Sequence, residues 1–287
     1  MPGRRSERAR PAAPWTRQKM LALLIGAGLT AVLLVGGLVL AVVDAAQPAR
    51  HPAGGAGSAD SGRSGGQGGG VSSVGPPARG ATAAAERDAL AARPMPTVPA
   101  DAAQPGPVSL RDPGAPIMLP AATRTGPAGV PTGFGPTRVG ALAQLAAIDQ
   151  AALQSGALSG ARGVITGWAL PGGPTTTNWS GVAALATLLN AAGLSGGGSG
   201  QLAIVVTPLM GQVKGSVGRD FVLPCVDFEV DVTLQQTARA AAADCQRMVW
   251  TGDLWMIGPG VEPAEAPSVW PDTDTAIGVG WRDLRRG

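Results

Sequence analysis

The chain has 287 residues and a formal net charge of +3 at pH 7, but residues 1–19 alone carry +5. From Gln201 to the C-terminus seven basic residues face eleven acidic ones, the wrong sign for a domain that binds phosphates, so we expect no direct nucleic-acid binding. The sequence has no tyrosine, and its single histidine is His51. These absences argue against a Ser-His-Asp or Cys-His catalytic arrangement and an imidazole metal site in the C-terminal half, and we expect neither metal nor cofactor.

The N-terminal region has the pattern of a single membrane span. Residues Met20 to Val43 form an uncharged apolar run that follows six basic residues. At about 1.5 Å of rise per residue, a helix of this length crosses a hydrocarbon core about 30 Å thick. Because basic flanks stay in the cytoplasm, we predict a cytoplasmic tail over 1–19, a transmembrane helix over 20–43 and an extracytoplasmic remainder. The alternative is a secretory signal cleaved near Val43 and Ala45, although signal cores are usually about 7 to 15 residues long.

Residues 44–115 have the composition of a linker. They are rich in Gly, Ala, Pro and Ser and include the glycine-rich run 65–70. Such a segment buries too little apolar surface to offset its chain entropy, so we predict that it is disordered. Roughly 70 flexible residues have a mean reach of about 45 Å, which would hold a following domain well away from the bilayer.

Residues 116–287 are predicted to form one ordered domain whose first half is helical. Thr137 is suited to cap a helix that runs to Ser155. Its apolar side chains recur at spacings of three and four, at Leu142, Leu145, Ile148 and Ala152. Two shorter helices are expected over 159–169 and 180–192.

The second half changes to a period of two, which is typical of strands. From Phe221 to Leu234 the valines and Phe228 alternate with a second row, which we interpret as the solvated face: Cys225, Asp227, Glu229 and Asp231. Further strands are expected over 201–217, 238–250 and 254–257. Three helices followed by antiparallel strands predict an α+β domain in which the helices cover one face of a curved sheet.

The two cysteines suggest a strand register. If residues 234–236 form the bend, Cys225 lies opposite Cys245, and Asp231 lies opposite Arg239. In an oxidising compartment Cys225 and Cys245 would then form a cross-strand disulfide. The alternative is two free thiols packed as small hydrophobic side chains.

Asp244 is the first candidate pocket residue. Strict alternation would direct its carboxylate into the space between sheet and helices, where burial raises a carboxyl pKa and suits a general base. The interpretation we favour is that a strand irregularity beside the disulfide turns Asp244 to water. The other candidates are Phe228, Trp250 and Trp255, and we expect the two tryptophans to pack at the core and its rim. We assign no catalytic residue.

Two segments resemble known families. Residues 131–143 resemble the opening of exported actinobacterial domains, an origin that the scarcity of lysine also favours. Residues 245–255 are similar to the closing hairpin of NTF2-like domains, in which a Trp, a Gly-Asp turn and a second Trp recur. The layout of tail, span, linker and NTF2-like domain is that of VirB8-like and TcpC-like proteins of conjugation machines.

This resemblance implies an α+β NTF2-like cone that acts without catalysis. The implied role is that of a structural subunit in a conjugative transfer or related secretion apparatus, with other subunits or a second copy as partners. The alternative is a ligand-binding or catalytic cone acting on a small apolar molecule or a cell-wall fragment, although the chain lacks the Tyr and His of the isomerases. A third possibility is a surface-displayed domain with no membrane partner.

Overall fold

The computed structural model of the protein describes residues 79–194 and 200–287. Its helices are α1 (Arg79–Ala92), α2 (Arg138–Gln154), α3 (Leu158–Trp168), α4 (Ser180–Ala191) and α5 (Asp274–Gly278), with 3₁₀ turns at Ala100–Ala103 and Pro127–Gly129. Its strands are β1 (Ile117–Leu119), β2 (Arg124–Thr125), β3 (Pro131–Thr132), β4 (Ala203–Val217), β5 (Phe221–Thr233), β6 (Thr237–Cys245), β7 (Met248–Trp250), β8 (Trp255–Ile257) and β9 (Arg282–Arg286).

The predicted cytoplasmic tail, the predicted membrane span over 20–43 and residues 44–78 of the predicted linker lie outside the described residues. Within the ranges 79–194 and 200–287, no helix combines the length and the apolar character that crossing a membrane requires.

The three helices predicted for the first half are confirmed. At the start of α2 the Thr137 hydroxyl accepts a hydrogen bond from the Gly140 N–H at 2.9 Å, as a capping residue should. After α2 the chain passes through Gly156, whose φ of +62° is a conformation that favours glycine. The apolar stripe of α2 is fully buried, with Leu142, Leu145 and Ile148 all at 0% exposure.

The predicted α+β class is also confirmed. The main sheet has the order β1-β9-β4-β5-β7-β8, with β6 pairing β5. Among the strand pairs of the described residues, β1 and β9 alone run parallel. This curled, mostly antiparallel sheet is compatible with a cone. Strand β4 is continuous but shifts register between Pro208 and Met210, because proline has no N–H to donate to the ladder.

The predicted register of β5 and β6 is confirmed. Cys225 pairs with Cys245 and Asp231 pairs with Arg239, and Thr233 and Thr237 close the hairpin. Cys225 and Cys245 form a disulfide, and both are buried. The ladder is regular through Asp244 and breaks after Cys245, so the predicted strand 238–250 divides into β6 and β7.

Reduction of this disulfide is expected to lower the free energy of unfolding by about 3 kcal/mol, because the bond closes a loop with a sequence separation of 20. The measurement compares urea unfolding of the full-length chain with and without a reductant. The control is the double variant Cys225→Ala/Cys245→Ala, whose unfolding should not respond to the reductant. Equal stability of the oxidised and reduced wild-type chains would contradict the prediction.

One face of the sheet is covered by α2, α3 and α4. The core on this side contains Phe228 and Val226 of β5 together with Trp168 and Trp179 of the helical half, all at most 1% exposed. This is the face that the sequence pattern predicted to be buried.

The second face of the sheet is also covered, contrary to expectation. Residues 79–115, which the sequence analysis assigned to the disordered linker, include α1. Asp88 of α1 forms an ion pair with the buried Arg247 at 2.6 Å, and Leu90 contacts the position of Gly215 on β4. The segment 262–281 completes the cover and contributes Val269 and Trp281 to a second core cluster.

Asp227 corrects the prediction of a solvated row. Its side chain is 0% exposed, and its Oδ2 accepts a hydrogen bond from the Val269 N–H at 3.0 Å. Burial raises the pKa of Asp227 well above its usual value, opposed by the hydrogen bonds from the Val269 and Phe228 backbone. Glu229 and Asp231 remain partly exposed beside Arg239, so the segment 262–281 covers only one end of the row.

Candidate functional site

A small cavity lies between the sheet and helices α2 and α4. Its volume is about 80 Å³. The wall is apolar for most of its area, with Phe228 and Trp179 as its aromatic members. Its ionisable side chains are Asp149 of α2 and Asp244 of β6, and Ser180 of α4 adds a hydroxyl.

Asp244 lines this cavity. This position corrects the interpretation favoured from the sequence, in which the Asp244 carboxylate turned to water. The reason is that β6 pairs regularly with β5 through the Val226–Asp244 step, so strict alternation holds as far as Cys245. The Asp244 carboxylate accepts hydrogen bonds from Gln246 Nε2 at 3.0 Å and from the Ser180 hydroxyl at 3.5 Å.

A second carboxylate, Glu262, shares these donors. It accepts hydrogen bonds from the Ser180 backbone N–H at 3.1 Å, from the Ser180 hydroxyl at 3.0 Å and from Gln246 Nε2 at 3.3 Å. Because Ser180 is the first residue of α4, Glu262 also places negative charge at the positive end of that helix. The Ser180 hydroxyl has one proton and can therefore serve only one of the two carboxylates at a time.

Asp149 is the third acidic residue of the site. It lies on the buried side of α2 and is 4% exposed. Among the described residues, none donates a hydrogen bond to its Oδ2 atom, which is itself buried. A buried carboxylate oxygen without a hydrogen-bond donor destabilises the fold by about 1–3 kcal/mol. Its presence in the folded domain therefore needs a physical explanation.

Burial and mutual repulsion raise the pKa values of two of these groups. Burial, followed by the charge of Glu262, raises the pKa of Asp244 to about 7, against the opposing hydrogen bonds from Gln246, the Cys245 backbone and Ser180. Burial, followed by the charges of Asp244 and Glu262, raises the pKa of Asp149 well above its usual value. The site therefore holds protons that carboxyl groups in water would release by pH 5.

The structure brings together only two of the four predicted pocket residues, Asp244 and Phe228. Trp250 and Trp255 are cross-strand neighbours with ring centroids 5.4 Å apart in an edge-to-face arrangement, and neither lines the cavity. Trp255 is 1% exposed and donates its indole N–H to the Gly135 carbonyl at 2.9 Å. The expectation that this pair serves packing agrees with these contacts.

Sequence reasoning missed Asp149 and Glu262. Asp149 carried a signal, because it lies four residues after Leu145 and three before Ala152, within the apolar stripe of α2. An acid at such a position is either buried or interrupts the stripe. Glu262 carried no signal, because it lies in an irregular segment after β8 where periodicity says nothing about orientation.

No protein-family model, curated protein or solved structure matches the chain. In the described ranges, no three His, Cys, Asp or Glu side chains are arranged to hold a metal ion.

Proposed function

We propose that the chain is a single-pass membrane protein whose extracytoplasmic domain binds other proteins, as a structural subunit of a conjugative transfer or related secretion apparatus. The observation that carries this proposal is the uncharged run Met20–Val43 behind a basic tail. Under this proposal residues 1–19 lie in the cytoplasm, and the folded part acts outside the membrane.

The disulfide supports the proposed compartment. Disulfides such as Cys225–Cys245 persist in oxidising environments and are rare in the cytosol. Export of the C-terminal half would place both cysteines in such an environment.

The interior of the domain supports binding over catalysis on a large substrate. Ligand pockets for drug-sized molecules usually measure about 300–1,000 Å³, whereas the cavity beside Asp244 measures about 80 Å³. Large buried side chains, Trp168, Trp179 and Phe228 among them, fill the space between helices and sheet. The surface is then the part of the domain available to a protein partner.

We further propose that the domain is an NTF2-like cone related to VirB8-like and TcpC-like proteins. The curled, mostly antiparallel sheet with α2, α3 and α4 packed on one face supports this assignment. The segment Cys245–Trp255, with its two tryptophans on either side of a tight turn, supports it as well. Gly252 has a φ of +100° in that turn, a conformation that glycine adopts readily.

Site-specific crosslinking in cells tests the proposed function. A photoreactive amino acid at Val205 or Val261 would sample two exposed apolar positions, which are 51% and 85% exposed. We expect crosslinks from at least one position to other membrane-anchored subunits of one apparatus or to a second copy of the chain. The same photoreactive residue at the buried Leu185 serves as the matched control and should give no intermolecular product.

Recovery of an uncrosslinked monomer from both exposed positions would contradict the scaffold role. Replacement of residues 20–43 by an unrelated span distinguishes the surface-displayed alternative. A scaffold that assembles within the membrane should lose its crosslinks in that variant, whereas a domain without membrane partners should be unaffected.

The second candidate function is a ligand-binding or catalytic cone. It is favoured by the position of Asp244 in the cavity wall and by its pKa of about 7. The small volume and the two carboxyl groups in the cavity wall argue against an apolar substrate. Any ligand of this cavity must be small and must complement acids.

A further inference from the structure

Several buried polar atoms in the cavity wall and near it lack hydrogen-bond partners among the described residues. In the described part of the chain, no hydrogen-bond partner reaches Asp149 Oδ2, Gln246 Oε1 or Trp179 Nε1. These three residues are 4%, 1% and 1% exposed. Asp149 and Trp179 line the cavity, whereas Gln246 does not. Buried polar atoms are normally paired, so the unpaired Asp149 oxygen in the cavity wall indicates that a hydrogen-bond donor is missing.

The acidic groups of the site also lack a positively charged partner within the described ranges. Among the described residues, no arginine or lysine forms an ion pair with Asp149, Asp244 or Glu262. The side chains that donate hydrogen bonds to Asp244 and Glu262, those of Gln246 and Ser180, are neutral. Asp149 is buried, whereas Asp244 and Glu262 are half-buried. A buried carboxyl group ordinarily keeps its proton or is paired with a cation or a metal, because desolvation of its charge is costly.

A purely structural role explains only part of this arrangement. Glu262 accepts hydrogen bonds from the backbone and hydroxyl of Ser180 at the start of α4, and that contact stabilises the helix. Neither Asp149 nor Asp244 is needed for it. Both groups lie in the cavity wall, and the charge of Glu262 raises the pKa of each.

The shape of the cavity limits the missing donor. A volume of about 80 Å³ is several times what one ordered water needs and leaves room for a few heavy atoms. Its acids lie beside the apolar side chains of Ala152, Leu153 and Phe228. A group that donates several hydrogen bonds, carries positive charge and ends in a short apolar stem fits both parts of the wall.

We propose that this cavity binds the ammonium group of a primary alkylamine. The ammonium has three N–H donors, enough to reach the unpaired Asp149 oxygen and the Asp244 carboxylate, which both lie in the cavity wall. The alkyl stem then lies against the apolar wall. This assignment is independent of the membrane anchor, so it can fail while the scaffold proposal stands.

A groove beside the cavity supplies a place for the rest of such a molecule. It has a volume of about 390 Å³ and is lined by Pro174, Asn178, Val261 and Glu262 with several glycines. Glu262 belongs to the wall of this groove, and its carboxylate also accepts from Ser180, which lines the cavity. A lysine side chain of a partner protein and a free amine share the same recognised chemistry.

Calorimetric titration of the full-length chain in nonionic detergent with n-propylammonium chloride tests the proposal. The buffer is phosphate, since Tris is itself a primary amine. We expect saturable binding that weakens roughly tenfold to hundredfold in Asp149→Asn and in Asp244→Asn, each of which removes one charged acceptor. The matched control, Asp253→Asn in the exposed turn, should bind as the wild type does.

Proton release separates recognition from a loss of folding in the variants. Because an ammonium ion favours ionised carboxylates, binding near pH 7 should expel protons from Asp149 and Asp244. The heat of binding should then depend on the ionisation enthalpy of the buffer, and this dependence should shrink in both cavity variants. Binding without proton release would contradict the proposed contacts.

Three comparison ligands make the result decisive. 1-Propanol has the same stem without the charge, tetramethylammonium has charge without N–H donors, and KCl supplies a bare cation. Equal binding by any of them, or no saturable binding of n-propylammonium, would overturn the proposal. Binding of Nα-acetyl-lysine amide as tight as that of n-propylammonium would identify the source as a partner's lysine, whereas binding of n-propylammonium alone would identify a free amine.

Discussion

Replacement of Trp281 by alanine is expected to lower the free energy of unfolding by about 3–5 kcal/mol. Trp281 is 1% exposed and packs in the second core cluster, on the sheet face opposite α2. Its indole N–H donates to the Pro267 carbonyl at 3.1 Å, so the substitution also leaves that acceptor without its donor. The loss thus combines a cavity with a broken hydrogen bond.

Urea unfolding of the full-length chain, followed by tryptophan fluorescence and by circular dichroism, measures this effect. Val261→Ala in the same C-terminal half is the control, because Val261 is 85% exposed and its truncation should change stability by less than about 0.5 kcal/mol. A loss below about 1 kcal/mol for Trp281→Ala would show that the segment 262–281 does not seal the second face of the sheet.

The elements of this domain that are governed by local pattern could be predicted from the sequence. Helix α2 has a capping residue, an apolar stripe and a terminating glycine, and each acts within a few residues of the others. The register of β5 against β6 followed from a short bend and from two pairs that match chemically, Cys225 with Cys245 and Asp231 with Arg239.

What could not be predicted depends on segments that lack periodicity. The alternation of β5 places Asp227 and Glu229 on the same face. Asp227 is buried because the distant segment that contains Val269 packs over it and donates the Val269 N–H to its carboxylate. Helix α1 is rich in alanine and lacks an apolar stripe, so its docking depends on single contacts such as the Asp88–Arg247 ion pair. Irregular segments that cover a sheet face show no periodic spacing of apolar residues, so the sequence pattern does not predict where they pack.

The site shows the same division. Counting along β6 places Asp244 on the inner face of the sheet. Its carboxylate faces the cavity only because the ladder breaks after Asp244 and not before it. Glu262 reaches the site from a loop, and it accepts a hydrogen bond from Ser180, which lies 82 positions earlier in the sequence. The cluster exists because three unrelated segments converge, which no local pattern encodes.

The pH dependence of stability gives a second large expected effect, through Asp244→Asn. The pKa of Asp244 is raised in the folded state from 3.8 to about 7. A carboxyl group with a raised folded pKa binds its proton more tightly in the folded chain, so its contribution to stability is full below pH 4 and is lost as the pH rises to about 7. A shift of this size corresponds to a loss on the order of 4 kcal/mol.

Asparagine has the shape of aspartate and keeps an oxygen that Gln246 can still reach, but it carries no charge. In amine-free buffer the variant and the wild type should therefore be about equally stable at pH 4, and the variant should become the more stable protein as the pH approaches 8. Unfolding midpoints at intervals across this range measure the difference.

Asp253 provides a control of opposite sign. The hydrogen bond from Arg124 lowers the pKa of Asp253, desolvation opposes this shift, and the charge of Arg124 adds to it. The contribution of Asp253 to stability is therefore present at neutral pH and is lost on acidification. Asp253→Asn should therefore lose stability relative to the wild type as the pH rises, where Asp244→Asn gains it. If the two variants changed in the same direction, the difference would come from the overall charge of the domain and not from the buried acids.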